Sequence, residues 1–346
     1  MDGKMRAIMK KEPKPGAVME TAEIPKIRNR EVLVKIKAAS ICGTDLHIYE
    51  WDEWARSRIH PPMIFGHEFA GEVIEAGKDV TFVSVGDHVS GETHLACGHC
   101  FQCRTGQAHV CRNVRLRGVD VTGCFSEYHA MPEESAWKND KKVPHWVASA
   151  QEPLGNAVHT VFDGEVAGKT IAIFGCGPIG MCAAALCRAS GAERIFAVDI
   201  NPYRVRMAKE MGAHVVLNGK ETDVVKEIMG ATDGDGVDVF LEMSGSPVAL
   251  KQGLKVLKPG GRASILGIFS KPVELNITDD IVFKAARING INGRRMFGTW
   301  FTTSAFLRSG LVNLEKIITH KFKFEEFEKA FALMKSGNCG KVVMTL

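Results

Sequence analysis

From Lys169 onward, short apolar runs alternate with segments of helical period: KTIAIFG, PIGMCAAALCRASG, RIFAVDI, PYRVRMAKEMG, HVVLNG, TDVVKEIMG, VDVFLEMSG, SPVALKQGLKVLKPGG and RASILGI. An alternation of this kind predicts a parallel sheet wrapped by helices. Gly212, Gly245, Pro259 with Gly260 and Gly261, and Gly267 stand where those helices or strands should stop, so the punctuation agrees with the period. Earlier stretches read differently. Residues 31–42 (EVLVKIKAASIC) and 69–90 are rich in Val and Ile, alternate in places and are broken by Gly-Lys-Asp and Gly-Asp turns, which predicts a β-rich N-terminal domain. At 346 residues the chain exceeds what one core usually serves, and two domains follow. The expected class is α/β, with one domain over 1–152, a doubly wound domain over 153–292, and a closing segment 293–346, helical with a terminal strand, that returns to the first.

Composition narrows the function classes. Hydrophobic residues at 45% and charged residues at 24% describe a packed globular chain. Forty-four Lys and Arg against 40 Asp and Glu, without basic blocks, leave no nucleic-acid footprint. The longest near-apolar stretch, around Gly180 to Cys187, is far short of the roughly 20 residues of a membrane span. The N-terminus lacks a signal-peptide apolar region. Nucleic acid and membrane are therefore not expected as partners, and the cytosol is the expected compartment. Ten cysteines there should be reduced thiols or metal ligands.

Gly175-Cys-Gly177-Pro-Ile-Gly180 follows the strand IAIF and opens an apolar helix. In that context the glycines allow a tight turn and the close approach of a pyrophosphate to the helix N-terminus. Asp199 ends the next strand, where a carboxylate accepts hydrogen bonds from an adenosine ribose and repels a 2′-phosphate. NAD is thereby favoured over NADP, although Arg204, on the following helix, suits either a 2′-phosphate or the adenosine.

Cys97, Cys100, Cys103 and Cys111 supply four soft ligands within fifteen residues, enough to close a tetrahedral structural zinc site. An iron–sulfur run has similar spacing, but the Cys-Pro that often ends one is missing. Cys42, His67 with Glu68, and Glu152 together offer a thiolate, an imidazole and carboxylates, the mixed set of an open catalytic zinc site. Taken singly these residues are ordinary, and spacing does not bring them together.

The run SICGTDLHIYEWDEW, the GHEFAGEV segment, the SGETHLACGHCFQCRTGQAHVC loop and the GCGPIG turn resemble the zinc-dependent medium-chain alcohol dehydrogenase family over essentially the whole chain. Asp52-Glu53-Trp54, His94, and the stretches 152–160 and 241–245 are more similar to its threonine-oxidising members than to its polyol dehydrogenases. The resemblance implies a GroES-like β-rich catalytic domain, a Rossmann domain, a cleft between them for NAD and zinc, and a homotetramer. It makes Cys42, His67 and Glu68 ligands of a catalytic zinc, with Glu152 near enough to ligate or to exchange with water, and the Cys97 loop the seat of a second, structural zinc. Which carboxylate binds stays open; many relatives carry Asp where this chain has Glu152, and the longer side chain leaves its distance from the metal open.

The same resemblance makes Thr44 and His47 a proton relay and Glu152 a third catalytic residue. Ile179, Asp199, Arg204, Leu266-Gly267-Ile268 and Ile291-Asn292 become NAD contacts. The implied substrate is L-threonine and the product 2-amino-3-oxobutanoate, with His94 and Arg294 as candidates for orienting the substrate. A polyol or butanediol dehydrogenase is the alternative within the class. A non-catalytic dinucleotide-binding protein is the alternative outside it, and such a protein has no need for Cys42, His67 and Glu68 together.

Overall fold

The computed structural model describes residues 3–346. Their contacts divide the chain into two units, Met1–Glu152 with Ile318–Leu346, and Pro153–Ile317.

The first unit begins with β1 (Lys4–Lys10), β2 (Val18–Glu23), β3 (Glu31–Ser40), α1 (Gly43–Glu50), α2 (Glu53–Arg58), β4 (Met63–Ile64), β5 (Glu68–Ala76) and β6 (His88–Gly91). It continues through β7 (His94–Leu95), α3 (Phe101–Arg104), β8 (Arg115–Leu116), β9 (Tyr128–Pro132), β10 (Ala136–Lys138) and α4 (His145–Ala148), and α5 (Gln151–Val161) crosses the border between the units. In β3 every apolar side chain is buried, the mark of a strand with neighbours on both edges and both faces. It pairs antiparallel with β5 and with β9. Gly71 in β5 is required there, since a Cβ would stand 2.3 Å from the Lys35 carbonyl oxygen. Phe65, Phe69 and Phe125 fill the core, with Phe65 and Phe125 edge-to-face at 5.1 Å between ring centroids.

The second unit adds β11 (Thr170–Phe174), α6 (Pro178–Ala189), β12 (Arg194–Asp199), α7 (Pro202–Glu210), β13 (Val215–Asn218), α8 (Val224–Ala231), β14 (Val237–Glu242), α9 (Pro247–Val256), β15 (Leu257–Ile265), β16 (Arg287–Gly290) and α10 (Gly298–Arg308). Six parallel strands run in the order β13-β12-β11-β14-β15-β16, the doubly wound arrangement whose strand order reverses next to the first strand. Asn201, Asp223 and Ser246 cap α7, α8 and α9 through their side-chain oxygens.

The chain ends in β17 (Ile318–Lys323), α11 (Phe327–Ser336) and β18 (Lys341–Thr345). β18 lies antiparallel to β3, with Val343 opposite Ser40, and parallel to β17, completing the order β10-β6-β5-β3-β18-β17. The return expected from residue 293 thus begins at Ile318. The reason is local: Arg294 bonds Asn156, and Phe306 on α10 stacks on Phe162 at 5.6 Å, which ties residues 293–317 to the second unit.

Candidate metal centres and dinucleotide turn

Cys42 is the N-cap residue of α1, and its backbone N–H donates to Asp45 Oδ2 at 2.8 Å. His67 and Glu68 enter at the start of β5, and hydrogen-bonded pairing of Ser40 with Glu68 brings that start beside the end of β3, two residues before Cys42. One ligand atom from each of Cys42, His67 and Glu68 lies within 4.8 Å of the others. Three residues scattered over two elements thus meet through strand register rather than sequence spacing.

Asp45 Oδ1 stands 3.4 Å from His67 Nδ1, and both atoms are buried without a hydrogen-bond partner. A carboxylate behind one ring nitrogen fixes the tautomer and leaves the other nitrogen to an ion. Burial disfavours an imidazolium at His67, but Asp45 and then Cys42 outweigh it and hold the pKa well above the ordinary histidine value. The pocket is electrically suited to positive charge. A half-buried thiolate with a buried imidazole and carboxylate beside it is a donor set that fits zinc.

Glu68 is itself held. Lys341, at the head of β18, donates to Glu68 Oε1 at 2.6 Å and to the Ile41 carbonyl at 3.0 Å, and Ser40 donates its hydroxyl to Glu68 Oε2. Burial opposes the Lys341 charge, but Glu68 and Cys42 reverse the balance and raise its pKa. Glu152 lies outside the mutually close set; its Oε1 accepts from the Thr93 hydroxyl at 3.1 Å, and its charge also reaches Lys341. Thr44 Oγ1 is 3.8 Å from Cys42 Sγ. His47 lies on the last turn of α1, partly exposed, with Nδ1 at 2.5 Å from Asp52 Oδ2. His94 is buried and its Nδ1 faces Glu92 Oε1 at 2.7 Å.

The four loop cysteines also gather within one ligand sphere. A tetrahedron of thiolates about 2.3 Å from an ion has edges of about 3.8 Å. Cys100 Sγ lies 3.5 Å from Cys103 Sγ and 3.7 Å from Cys111 Sγ. The backbone N–H groups of Cys97 and Asn113 each donate to Cys111 Sγ at 3.3 Å. Backbone N–H groups at His99 and Cys100 lower the Cys97 pKa to about 6, so a thiolate forms there near neutral pH. The arrangement fits a closed four-sulfur zinc site.

In the second unit, the expected dinucleotide residues lie at the carboxyl ends of the parallel strands or on the first turns of the helices that follow them. Gly175 follows β11 with φ +97°, and a Cβ there would lie 2.7 Å from the Ser244 nitrogen. Gly180 packs so closely that its Cβ would lie 2.0 Å from the Gly175 carbonyl oxygen, whereas Gly177, the N-cap of α6, faces open space. Close packing at two glycines and clearance at the third are what a diphosphate at a helix N-terminus needs.

Asp199 ends β12 and accepts from the Cys176 N–H at 2.7 Å and the Asn201 N–H at 2.9 Å. Arg204 Nε is buried without a partner. Leu266, Gly267 and the exposed Ile268 follow β15, and Ile291 and Asn292 follow β16. Ile179 lies on the first turn of α6. Arg294 is buried, with Nη1 bonded to Asn156 Oδ1 at 2.9 Å.

Sequence reading passed over Asp45, Lys341, Thr93 and Glu92. A Cys followed three residues later by Asp at a helix start is a capping pattern, so Asp45 carried a local signal. Lys341 carried none.

Residues 178–309 match the zinc-binding dehydrogenase family, and residues 28–142 match the alcohol dehydrogenase GroES-like domain. The chain belongs to the zinc-binding dehydrogenases of the medium-chain alcohol dehydrogenase type. It is 51% identical to the L-threonine 3-dehydrogenase of Bacillus licheniformis, covering 99% of each chain. Among solved structures it is similar to a zinc-binding dehydrogenase of Sinorhizobium meliloti 1021 bound to NADP, at 28% identity and TM-score 0.91, covering 99% of each chain. It is likewise similar to an alcohol dehydrogenase of Escherichia coli CFT073 complexed with NADH, at 29% identity and TM-score 0.91, covering 99% of this chain and 100% of that one. Among the described residues no helix is long and apolar enough to cross a membrane.

Proposed function

We propose that the chain oxidises L-threonine at its side-chain hydroxyl to 2-amino-3-oxobutanoate, reducing NAD to NADH and releasing one proton. The observation that carries this reading is the convergence of Cys42, His67 and Glu68, the last two buried and the first half-buried, into one set of three protein donors, the donor number of catalytic rather than structural zinc. The name borne by the 51% identical relative supports threonine as the substrate. Asp199 supports NAD over NADP, since a carboxylate at the end of β12 repels a 2′-phosphate.

Zinc in this pocket supplies Lewis acidity toward a hydroxyl, and NAD is the hydride acceptor. The chain's own residues do the rest. Cys42, His67 and Glu68 provide the ligands; Lys341 and Ser40 hold the Glu68 carboxylate in place. Glu152, bonded to Thr93, is the second carboxylate beside Lys341 and suits ligand exchange or proton transfer. Thr44 accepts the hydroxyl proton as it gives up its own toward His47, which passes it to solvent. His94, its ring fixed by Glu92, orients the substrate. Arg294 is the candidate for the substrate carboxylate, and the Cys97 loop carries a structural zinc. The family resemblance supports a homotetramer, and ten cysteines, four of them gathered as one metal-ligand set, suit a compartment that keeps thiols reduced, the cytosol.

The test is NADH formation on adding threonine, serine, sorbitol or butanediol, with and without chelator. Threonine should give the fastest, chelator-sensitive rate. Cys42→Ala should abolish turnover, by more than about a thousandfold, and remove one metal equivalent while the Cys97 loop keeps its own. Full activity at reduced metal content, or equal rates on all four substrates, overturns the reading.

A further inference from the structure

We infer that Asp52 is a positioning residue of the proton relay, accepting a hydrogen bond from His47 Nδ1–H so that Nε2 is the bare nitrogen that takes up the proton. The inference rests on the relay reading of Thr44 and His47 and adds the group that acts through His47.

Three observations build the site. First, the Asp52 carboxylate has both oxygens committed: Oδ2 lies 2.5 Å from His47 Nδ1, and Oδ1 accepts from the Ala55 N–H at 3.0 Å as the N-cap of α2. A carboxylate fixed by a helix cap cannot swing away from the ring. Its pKa lies below the usual aspartate value: burial opposes the charge, but the Ala55 N–H and His47 more than compensate, so it is an acceptor at working pH.

Second, the corner that brings Asp52 back to His47 is made by Trp51, a buried non-glycine residue at φ 57° and ψ 46°. Left-handed backbone at a bulky residue persists only where the surroundings hold it. Here the buried Lys10 does so, with Nζ 5.0 Å from the Trp51 ring centroid and donating to the Tyr49 carbonyl at 3.2 Å and the Gly16 carbonyl at 2.8 Å. Third, His47 stays partly exposed, with its side chain 59% accessible, so a proton it takes up has a way to solvent.

A neutral imidazole carries one proton on two nitrogens, and the partner of one decides the role of the other. An acceptor at Nδ1 places the proton there and frees Nε2. It also stabilises the imidazolium formed when Nε2 takes a second proton. Asn at position 52 still caps α2 through Oδ1 but turns an N–H toward His47 Nδ1, which moves the ring proton to Nε2 and blocks acceptance.

Asp52→Asn therefore separates the helix cap from the relay. In the full-length zinc-loaded enzyme, kcat should fall roughly 10- to 100-fold at saturating threonine and NAD, at or below the lower end of the roughly 10²- to 10⁴-fold of a general base because the imidazole itself remains, with KM within about twofold. Metal content and Tm should match the unmutated protein. Added imidazole should restore turnover in both Asp52→Asn and His47→Asn. Ring 15N shifts of His47, assigned by difference against His47→Asn, should report the Nδ1–H tautomer in the unmutated protein and Nε2–H in Asp52→Asn. Unchanged kcat in Asp52→Asn beside a loss in His47→Asn sinks the inference and leaves the relay standing. Unchanged kcat in His47→Asn sinks both, and a loss of Tm or metal in Asp52→Asn that accounts for the rate reduces Asp52 to a helix cap.

Discussion

Lys341 and Glu68 are 273 residues apart in sequence, yet Nζ and Oε1 are 2.6 Å apart, both side chains buried. Taking two charges out of water is expensive, and attraction in a low-dielectric interior offsets it only when both partners are present. Removing one is therefore worse than removing both. Lys341→Met should destabilise the chelated protein by about 3–5 kcal/mol in urea unfolding, because it strands a buried carboxylate. The double variant Lys341→Met with Glu68→Met should recover most of that loss. A loss in the double variant equal to the sum of the two single-variant losses would show that the pair does not interact. The donors of the metal pocket differ in how legible they are. His67 and Glu68 are adjacent and Cys42 ends an apolar strand, so their chemistry is visible in the chain itself. Their meeting is not, since it depends on the Ser40–Glu68 register of β3 and β5. Lys341 escapes a reading by spacing altogether, because a lone lysine near a terminus looks like any solvated one.

At the level of elements, α4 is docked by a histidine pair. His88 on β6 and His145 at the start of α4 have ring centroids 4.1 Å apart, and His88 Nε2 is buried without a partner. Burial, and next the charge of His145, push the His88 pKa down to about 4; burial and Lys37 on β3 lower that of His145. Glu72 on β5, opposite His88 in register, and the Asp140 backbone oppose these shifts without reversing them. The sign follows from proton counting. The unfolded chain titrates near pH 6.5 and the folded one near 4, so the unfolded state binds more protons between those values. The contribution is intact above pH 6.5 and is lost as pH falls toward 4. By pH 5.5 the loss should be on the order of 1 kcal/mol, seen as a fall in Tm from pH 7.5 that His88→Gln flattens. A Tm equally pH-dependent in that variant would place the acid sensitivity elsewhere. The elements of the doubly wound unit were more legible than this contact. Their period, caps and glycines agree along 170–265, while a histidine pair across β6 and α4 has no sequence pattern.

Across the whole molecule, the second unit is a run of consecutive strands and the first is closed only by the last residues of the chain. β18 is interior to its sheet, flanked by β3 and β17. That explains why the border was misplaced from the sequence: residues 293–317 are helical in pattern, and amphipathicity alone does not say which of two cores receives the apolar face. The return strand Lys341–Thr345 was expected as a strand, but its partner had no signature beyond β-branched residues. Its position also makes it the link between fold and chemistry, since Lys341 at its head bonds the Ile41 carbonyl next to Cys42 as well as Glu68. Deleting residues 341–346 would leave β3 and β17 with open edges and strip the Glu68 counter-charge. Open interior edges pair with other chains. The truncated chain should aggregate or lose its cooperative unfolding transition, and should fail to retain metal at Cys42, as read by circular dichroism and metal analysis. Deleting Leu346 alone removes one hydrogen bond, from its N–H to the Lys37 carbonyl at 3.1 Å, and one partly buried side chain at the edge of the core, and should leave the cooperative transition and metal content in place. A six-residue truncation that unfolds cooperatively with full metal would mean that the sheet closes without its last strand, and that Lys341 has no part in holding the site.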